Sequence, residues 1–186
     1  MVTAVIDADG VIFDFLTPFK EIASNITHRE ITEVNNDWSL SSRYALTNCE
    51  VKKVFNILNE NGLWSGFPLL EGADKALKKL IKTGADIYVV SSMPVEQVSN
   101  RIKALRRYKI SLPVIALGVG SSKKDIYRKL KPDYVIDDYC KHLDEAKEAN
   151  VKERFLINSS IHNEDRSSAT KEFKSLVDSV NFMIGK

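Results

Sequence analysis

Val5-Ile6-Asp7-Ala8-Asp9-Gly10-Val11 sets two carboxylates two residues apart at the exit of a short apolar run. The run Thr3–Ile6 reads as a buried strand, and side chains at i and i+2 of a strand point to the same side. Asp7 and Asp9 are therefore expected to converge on one substrate atom. In an open α/β sheet the space just past the carboxyl end of a strand is where ligands bind. One carboxylate placed there can attack while the other moves protons. A pair of loop acids capping a turn is the plainer reading, and the rest of the chain decides between the two.

Outward from this stretch, four more apolar runs, 86–90, 114–117, 134–136 and 155–157, alternate with helical patterns. Ala73, Ala76, Leu77, Leu80 and Ile81 recur at helical spacing, as do Val95, Val98, Ile102 and Leu105, then Ile126, Tyr127 and Leu130. Leu143 with Ala146 predicts a fourth helix, and Phe173, Leu176, Val177 and Val180 a C-terminal one. Strands alternating with helices predict an α/β fold, a Rossmann-like parallel sheet with helices on both faces. The gap from the first strand to the second is too long for a simple crossover. Residues 15–67 are expected to be a small inserted helical cap, with residues 1–14 and 68–186 forming the α/β core domain. The punctuated stretch Gly62-Leu63-Trp64-Ser65-Gly66-Phe67-Pro68 is the hinge candidate.

With 186 residues, 44% hydrophobic and 28% charged, the chain is close to globular averages and long enough to bury a core. A formal net charge of +2 and a pI near 8.4 argue against a dedicated nucleic-acid binder. Cys49 and Cys140 lie far apart with no Cys/His cluster, so neither a disulfide framework nor a zinc site is indicated, and a cytoplasmic location is expected. No apolar stretch approaches the roughly 20 residues of a membrane span. The Asn-x-Ser/Thr matches at Asn25 and Asn158 read as chance.

Polar residues fall just past the ends of four separate strands: Asp7 and Asp9, then Ser91 and Ser92, then Ser121-Ser122-Lys123-Lys124, then Asp137 and Asp138. In that order they resemble the motifs of the haloacid dehalogenase-like phosphatase superfamily: Asp-x-Asp, a Ser/Thr after the second strand, a Lys ahead of the fourth, and acidic residues after it. The stretch 9–15, Asp37-Trp38 in the insert, and the return 67–73 look like the 5'(3')-deoxyribonucleotidase branch. Asn163 is similar to an Asn that recurs there. The resemblance implies a helical cap, Mg²⁺ as cofactor, and a small phosphorylated substrate such as a nucleoside monophosphate.

On this reading Asp7 is the nucleophile, forming an aspartyl-phosphate that divides one difficult hydrolysis into two displacements. Asp9 protonates the departing alkoxide and later deprotonates the attacking water. Ser91 and Ser92 bind the phosphoryl oxygens, and a lysine neutralises charge that develops there. Lys123 is preferred because positions three, four and seven residues on are Ile126, Tyr127 and Leu130, which places it at a helix start behind Ser121 and Ser122; Lys124 remains the alternative. The expected metal ligands are Asp7, the carbonyl of Asp9, and Asp137, with Asp138 orienting from behind or joining them. Phe15 matches an aromatic that contacts the base in the nucleotidase branch. Trp64, at the cap's other junction, is a candidate for the same stacking or for packing inside the cap.

Plainer roles compete elsewhere. Ser91 and Ser92 ahead of Pro94 also suit helix capping. Gly118-Val119-Gly120-Ser121-Ser122-Lys123 lacks the spacing of a nucleoside-triphosphate loop or a dinucleotide fingerprint. Arg101, Lys103, Arg106, Arg107 and Lys109 read as the solvated side of an amphipathic helix. His28, His142 and His162 lack metal-ligand spacing and are assigned to the surface or to local hydrogen bonds. The leading expectation is a Mg²⁺-dependent phosphomonoesterase acting on (deoxy)ribonucleoside monophosphates. A phosphatase for nucleic-acid 3' ends or other small phosphates, and a non-catalytic phosphate-binding protein, are the alternatives. Oligomeric state is not readable from these residues.

Overall fold

The structure, a computed structural model, describes residues 2–157 and 165–185. Its six strands are β1 Thr3–Ile6, β2 Asp86–Ser91, β3 Val114–Ala116, β4 Tyr134–Asp137, β5 Glu153–Ile157 and β6 Lys171–Phe173. All pair in parallel, in the order β3-β2-β1-β4-β5-β6. Strand order reverses beside β1, which leaves a crevice between β1 and β4 at the carboxyl edge of the sheet. The register fixes which residues meet there. Ile6 lies opposite Val89 on one side and Ile136 on the other, so the residues following β1, β2 and β4 emerge side by side.

Helices cover both faces, which is why the strands read as continuous apolar runs rather than alternating ones. Ala4 and Ile6 face one hydrophobic cluster, shared with α4 Ala73–Ile81, α5 Val98–Arg107 and α8 Leu176–Ile184. Val5, Val90, Val135 and Leu156 face the other, against Tyr127 of α6 Lys124–Leu130 and Leu143 and Ala146 of α7 Cys140–Glu148.

Between β1 and α4 the chain forms three α-helices: α1 Leu16–Thr27, α2 Leu40–Arg43 and α3 Asn48–Glu60. Thr47 caps α3 reciprocally with Glu50, a capping box of the kind worth ~1 kcal/mol. Two hydrogen bonds pin the place where the chain leaves and returns: Asp14 N–H donates to the Pro68 carbonyl at 3.0 Å, and Leu70 N–H to the Ile12 carbonyl at 2.9 Å. Phe19, Ala23, Tyr44, Val54 and Leu58 belong to the same cluster as Ala4 and Ile6. The helical insert therefore packs as an extension of the sheet's core.

The C-terminal helix begins at Leu176, capped by Ser175, whose Oγ accepts from Asp178 N–H. Phe173, expected on that helix, instead ends the edge strand β6 and packs edge-on to Phe155 with ring centroids 5.0 Å apart. Asn158, His162 and Asn163 lie outside the described residues. No helix among the described residues is long and apolar enough to cross a membrane.

Candidate active site

β1 ends at Ile6, and Asp7 N–H still donates to the Ile136 carbonyl at 2.9 Å, so Asp7 is held at the very edge of the sheet. Beyond it the chain folds back: the Ala8 carbonyl accepts from both Ile12 and Phe13 N–H. Strand alternation therefore stops before Asp9. Asp7 reaches toward Lys123, just ahead of α6, whereas Asp9 reaches toward Arg101 of α5, on the other face of the sheet. The two carboxylates do not share a side as expected, yet both line one cavity of about 280 Å³.

Lys123 is fully buried, and its Nζ donates to Asp7 Oδ1 and, at 2.8 Å, to Asp137 Oδ2. Lys124 turns outward to pair with Glu148. Burial works against the Lys123 ammonium, but Asp137 and Asp7 hold its pKa well above the ordinary lysine value. The other oxygen of Asp137 accepts from Tyr139 N–H at 3.0 Å and lies 3.1 Å from His142 Nδ1. Burial alone would raise the Asp137 pKa; Lys123 and His142 instead keep it well below the usual carboxylate range. Every oxygen of Asp137 is thus engaged within the protein.

Asp138 enters the site beside β1. Gly10 adopts φ +84°, and a Cβ there would fall 2.0 Å from Asp138 Oδ2, so the absence of a side chain at position 10 is what admits this carboxylate beside β1. Asp7, Asp137 and Asp138 each present an oxygen, all within 4.8 Å of one another, and all three are buried. Burial, reinforced by Asp137, pushes Asp7 up to about 6 against the attraction of Lys123. Burial together with Asp7 and Asp137 drives Asp138 well above the usual range. Four carboxylates face two permanent cations, Lys123 and Arg101. The all-oxygen donor set and this excess of negative charge fit a hard divalent cation.

Ser91 ends β2 with its Oγ 3.5 Å from Asp9 Oδ2, and Ser92 Oγ lies 3.5 Å from the Ser121 carbonyl; both line the cavity. Phe15 lines it too, within a cluster in which its ring centroid is 6.0 Å from Phe55 and 6.2 Å from Trp64. Trp64 is almost wholly buried, and its Nε1 donates to Asn59 Oδ1 at 2.9 Å. It shows the cavity one edge while packing on Phe67.

Three residues of the site had no role assigned from sequence, although Trp38 belongs to the Asp37-Trp38 match noted above. Arg101, assigned above to a solvated helix side, is 0% exposed. Its Nη2 donates to Asp9 Oδ1 at 2.5 Å, and its guanidinium carbon sits 4.2 Å from the Phe13 ring centroid and 5.0 Å from that of Trp64. The signal was present: position 101 falls three after Val98 and four before Leu105, on the apolar stripe rather than opposite it. Trp38 lines the cavity and stacks on Tyr139 with centroids 3.9 Å apart and planes at 9°. Arg43, buried in the cap, lines it as well, and the irregular tract around both residues gave no periodicity to read.

A parallel sheet of this order, carrying acidic residues beyond two adjacent central strands and a buried lysine between them, defines a phosphatase fold of the haloacid dehalogenase type. Solved structures agree in fold. A haloacid dehalogenase-like family hydrolase from Streptococcus pneumoniae superposes with a TM-score of 0.68 at 11% identity, covering 98% of each chain. A predicted phosphoglycolate phosphatase from Haemophilus somnus gives 0.69 at 15%, covering 97% of each. CbbY from Rhodobacter sphaeroides, in complex with phosphate, gives 0.61 at 16%, covering 96% of each. No curated protein matches the sequence. The family model described as "5' nucleotidase, deoxy (Pyrimidine), cytosolic type C protein" matches residues 1–182, and the chain belongs to that family.

Proposed function

We propose that this phosphatase hydrolyses nucleoside 5'-monophosphates, deoxyribonucleotides foremost, through an aspartyl-phosphate on Asp7. The observation that carries the reading is the buried contact of Lys123 with both Asp7 and Asp137, with Asp7 lining an aromatic-walled cavity. Asp7 Oδ attacks phosphorus and the ester P–O bond breaks. Asp9 gives its proton to the leaving oxygen, then takes one from the water that cleaves the phosphoaspartate. Ser91 and Ser92 donate to phosphoryl oxygens, and Lys123 balances the charge that gathers there. Arg101 holds the Asp9 carboxylate in place through this cycle.

Asp7 and Asp138 are the carboxylates this reading assigns to Mg²⁺, with the Asp9 carbonyl; Asp137, whose oxygens are already committed to Lys123, Tyr139 and His142, anchors them from behind. This reverses the expected division between Asp137 and Asp138. When bound, Mg²⁺ supplies Lewis-acid polarisation of the phosphoryl group and screens the nucleophile's charge from it. The aromatic walls, Phe15, Trp38, Phe55 and Trp64, suit a planar base, and the family description names deoxy-pyrimidine nucleotides. A cytoplasmic location accords with the word cytosolic in that description and with Cys49 and Cys140 not being joined in a disulfide.

The test is phosphate release from nucleoside monophosphates, sugar phosphates and 3'-phosphorylated oligonucleotides, with Mg²⁺ and with chelator. Mg²⁺-dependent release strongest on deoxynucleoside 5'-monophosphates is expected. Release confined to oligonucleotide ends or to sugar phosphates contradicts the substrate assignment.

A further inference from the structure

The cavity has a second charged end. Arg43, the last residue of α2, is 3% exposed and lines the same cavity as Asp7, Asp9 and Asp138. Its Nε is buried and has no hydrogen-bond partner among the described residues. Its ion-pair partner, Glu33, stands 3.9 Å from Nε, beyond hydrogen-bond reach, and is itself half exposed. The Tyr44 ring centroid lies 6.0 Å from the guanidinium carbon, and the Tyr44 hydroxyl, which donates to Glu33 Oε1 at 3.3 Å, also faces Arg43. A buried guanidinium costs free energy unless its donors are satisfied, and here the protein leaves part of that requirement unmet.

Apart from Arg43, the residues that the helical insert contributes to the lining are apolar and largely aromatic: Phe15, Leu16, Trp38, Leu40, Phe55 and Trp64. A phosphomonoester with its phosphoryl group at Asp7 must send its organic part into this channel, flat against the aromatic rings. Whatever reaches Arg43 meets a buried cation with an unsatisfied Nε donor, opposed by one half-exposed carboxylate, Glu33. The matching group is a hydrogen-bond acceptor on a planar ring. A carbonyl oxygen carries two lone pairs and accepts from two guanidinium donors, whereas adenine offers single-lone-pair ring nitrogens, N1 and N7, each set beside a donating amino group that faces the fork donor to donor.

Building on the nucleotidase reading, we infer that Arg43 is the specificity-determining residue of the cap, selecting nucleotides whose base presents a carbonyl oxygen over adenine nucleotides. It touches the base and takes no part in phosphoryl transfer. Loss of Arg43 therefore weakens catalysis only for substrates long enough, and with the right acceptor, to reach it.

The experiment compares kcat/KM of the wild-type chain, R43M and R43K on dTMP, dUMP, dAMP and p-nitrophenyl phosphate, with Mg²⁺ present. For R43M a loss of ~10–100-fold is expected on dTMP and dUMP, mostly through KM, as for a hydrogen bond to a charged group. Its rate on p-nitrophenyl phosphate, too short to reach the cap end, is expected within ~3-fold of wild type, on the same arithmetic. R43K keeps the charge without the planar fork and is expected to fall between. Should R43M fail to fold by circular dichroism, the R43K ratio of dTMP to p-nitrophenyl phosphate still decides the matter. An equal loss on all four substrates, or no change on dTMP and dUMP, overturns the inference while leaving the nucleotidase reading standing. Wild-type hydrolysis of p-nitrophenyl phosphate with none of any nucleotide overturns that reading itself.

Discussion

Asp9 depends on a partner from a distant helix. Arg101 is wholly enclosed, with Phe13, Trp64 and Phe67 around its guanidinium and Nη2 on Asp9. It therefore acts as a positioning residue for the proposed acid and base. Removing the charge in R101M is expected to lower kcat ~10²-fold, the lower end of what positioned acid–base catalysis supplies, with KM changed far less. R101K is expected to recover part of the loss, because an ammonium still reaches a carboxylate. Steady-state kinetics across pH on all three proteins checks this. A fall in KM affinity alone, or no rescue by lysine, marks Arg101 as packing only. Position 101 also shows why charge pattern misleads: five basic residues in nine positions look solvated, but spacing from Val98 and Leu105 turns one of them inward.

Among the elements, the cap loop between α1 and α2 buries Ile31 in the main core and stacks Trp38, which lines the cavity, face to face on Tyr139. Aromatic pairs of this kind are worth ~0.5–1.5 kcal/mol beyond burial, so W38A is expected to raise KM by ~3–10-fold while kcat stays within ~2-fold. W38F is expected to restore most of the affinity. A W38A variant with wild-type KM rules the stack out as a binding element. The strands were legible because each is a short apolar run bounded by polar residues, and β1 was read to the residue. β6 was not, since Lys171-Glu172-Phe173 is brief and two-thirds charged, and Phe173 is three, four and seven residues from Leu176, Val177 and Val180. Only the sheet edge beside β5 makes it a strand. Asp7, Ser91, Lys123 and the Asp137 pair were readable as strand-end residues. Trp38 stood out only as a motif match without a place in the site, and Arg43 not at all, because tertiary packing of an irregular tract places them.

For the molecule as a whole, the acidic site is a burden on stability when no cation fills it. Asp7 has an ordinary value of 3.8 and is pushed up to about 6 by burial and by Asp137. The folded chain therefore holds this proton more tightly than the unfolded chain. Stability is fully present below about pH 4, falls as pH rises through the window from 4 to 6, and levels above it. At 1.36 kcal/mol per unit the loss is of order 3 kcal/mol for Asp7. A divalent cation relieves it by binding the ionised cluster. Thermal melts are expected to show Mg²⁺ raising Tm by several degrees at pH 7.5 and hardly at all at pH 4.5. An equal shift at both values contradicts the placement of the cation among these carboxylates.

The central claim is that Asp7 attacks phosphorus. Asp7→Asn removes the attacking charge with almost no change in volume, so phosphate release from dTMP with saturating Mg²⁺ measures that claim directly. The account predicts a fall in kcat of at least ~10³-fold, as for the loss of a catalytic nucleophile, from a variant that melts no lower than the wild type. Turnover by the folded variant within tenfold of the wild type would contradict it.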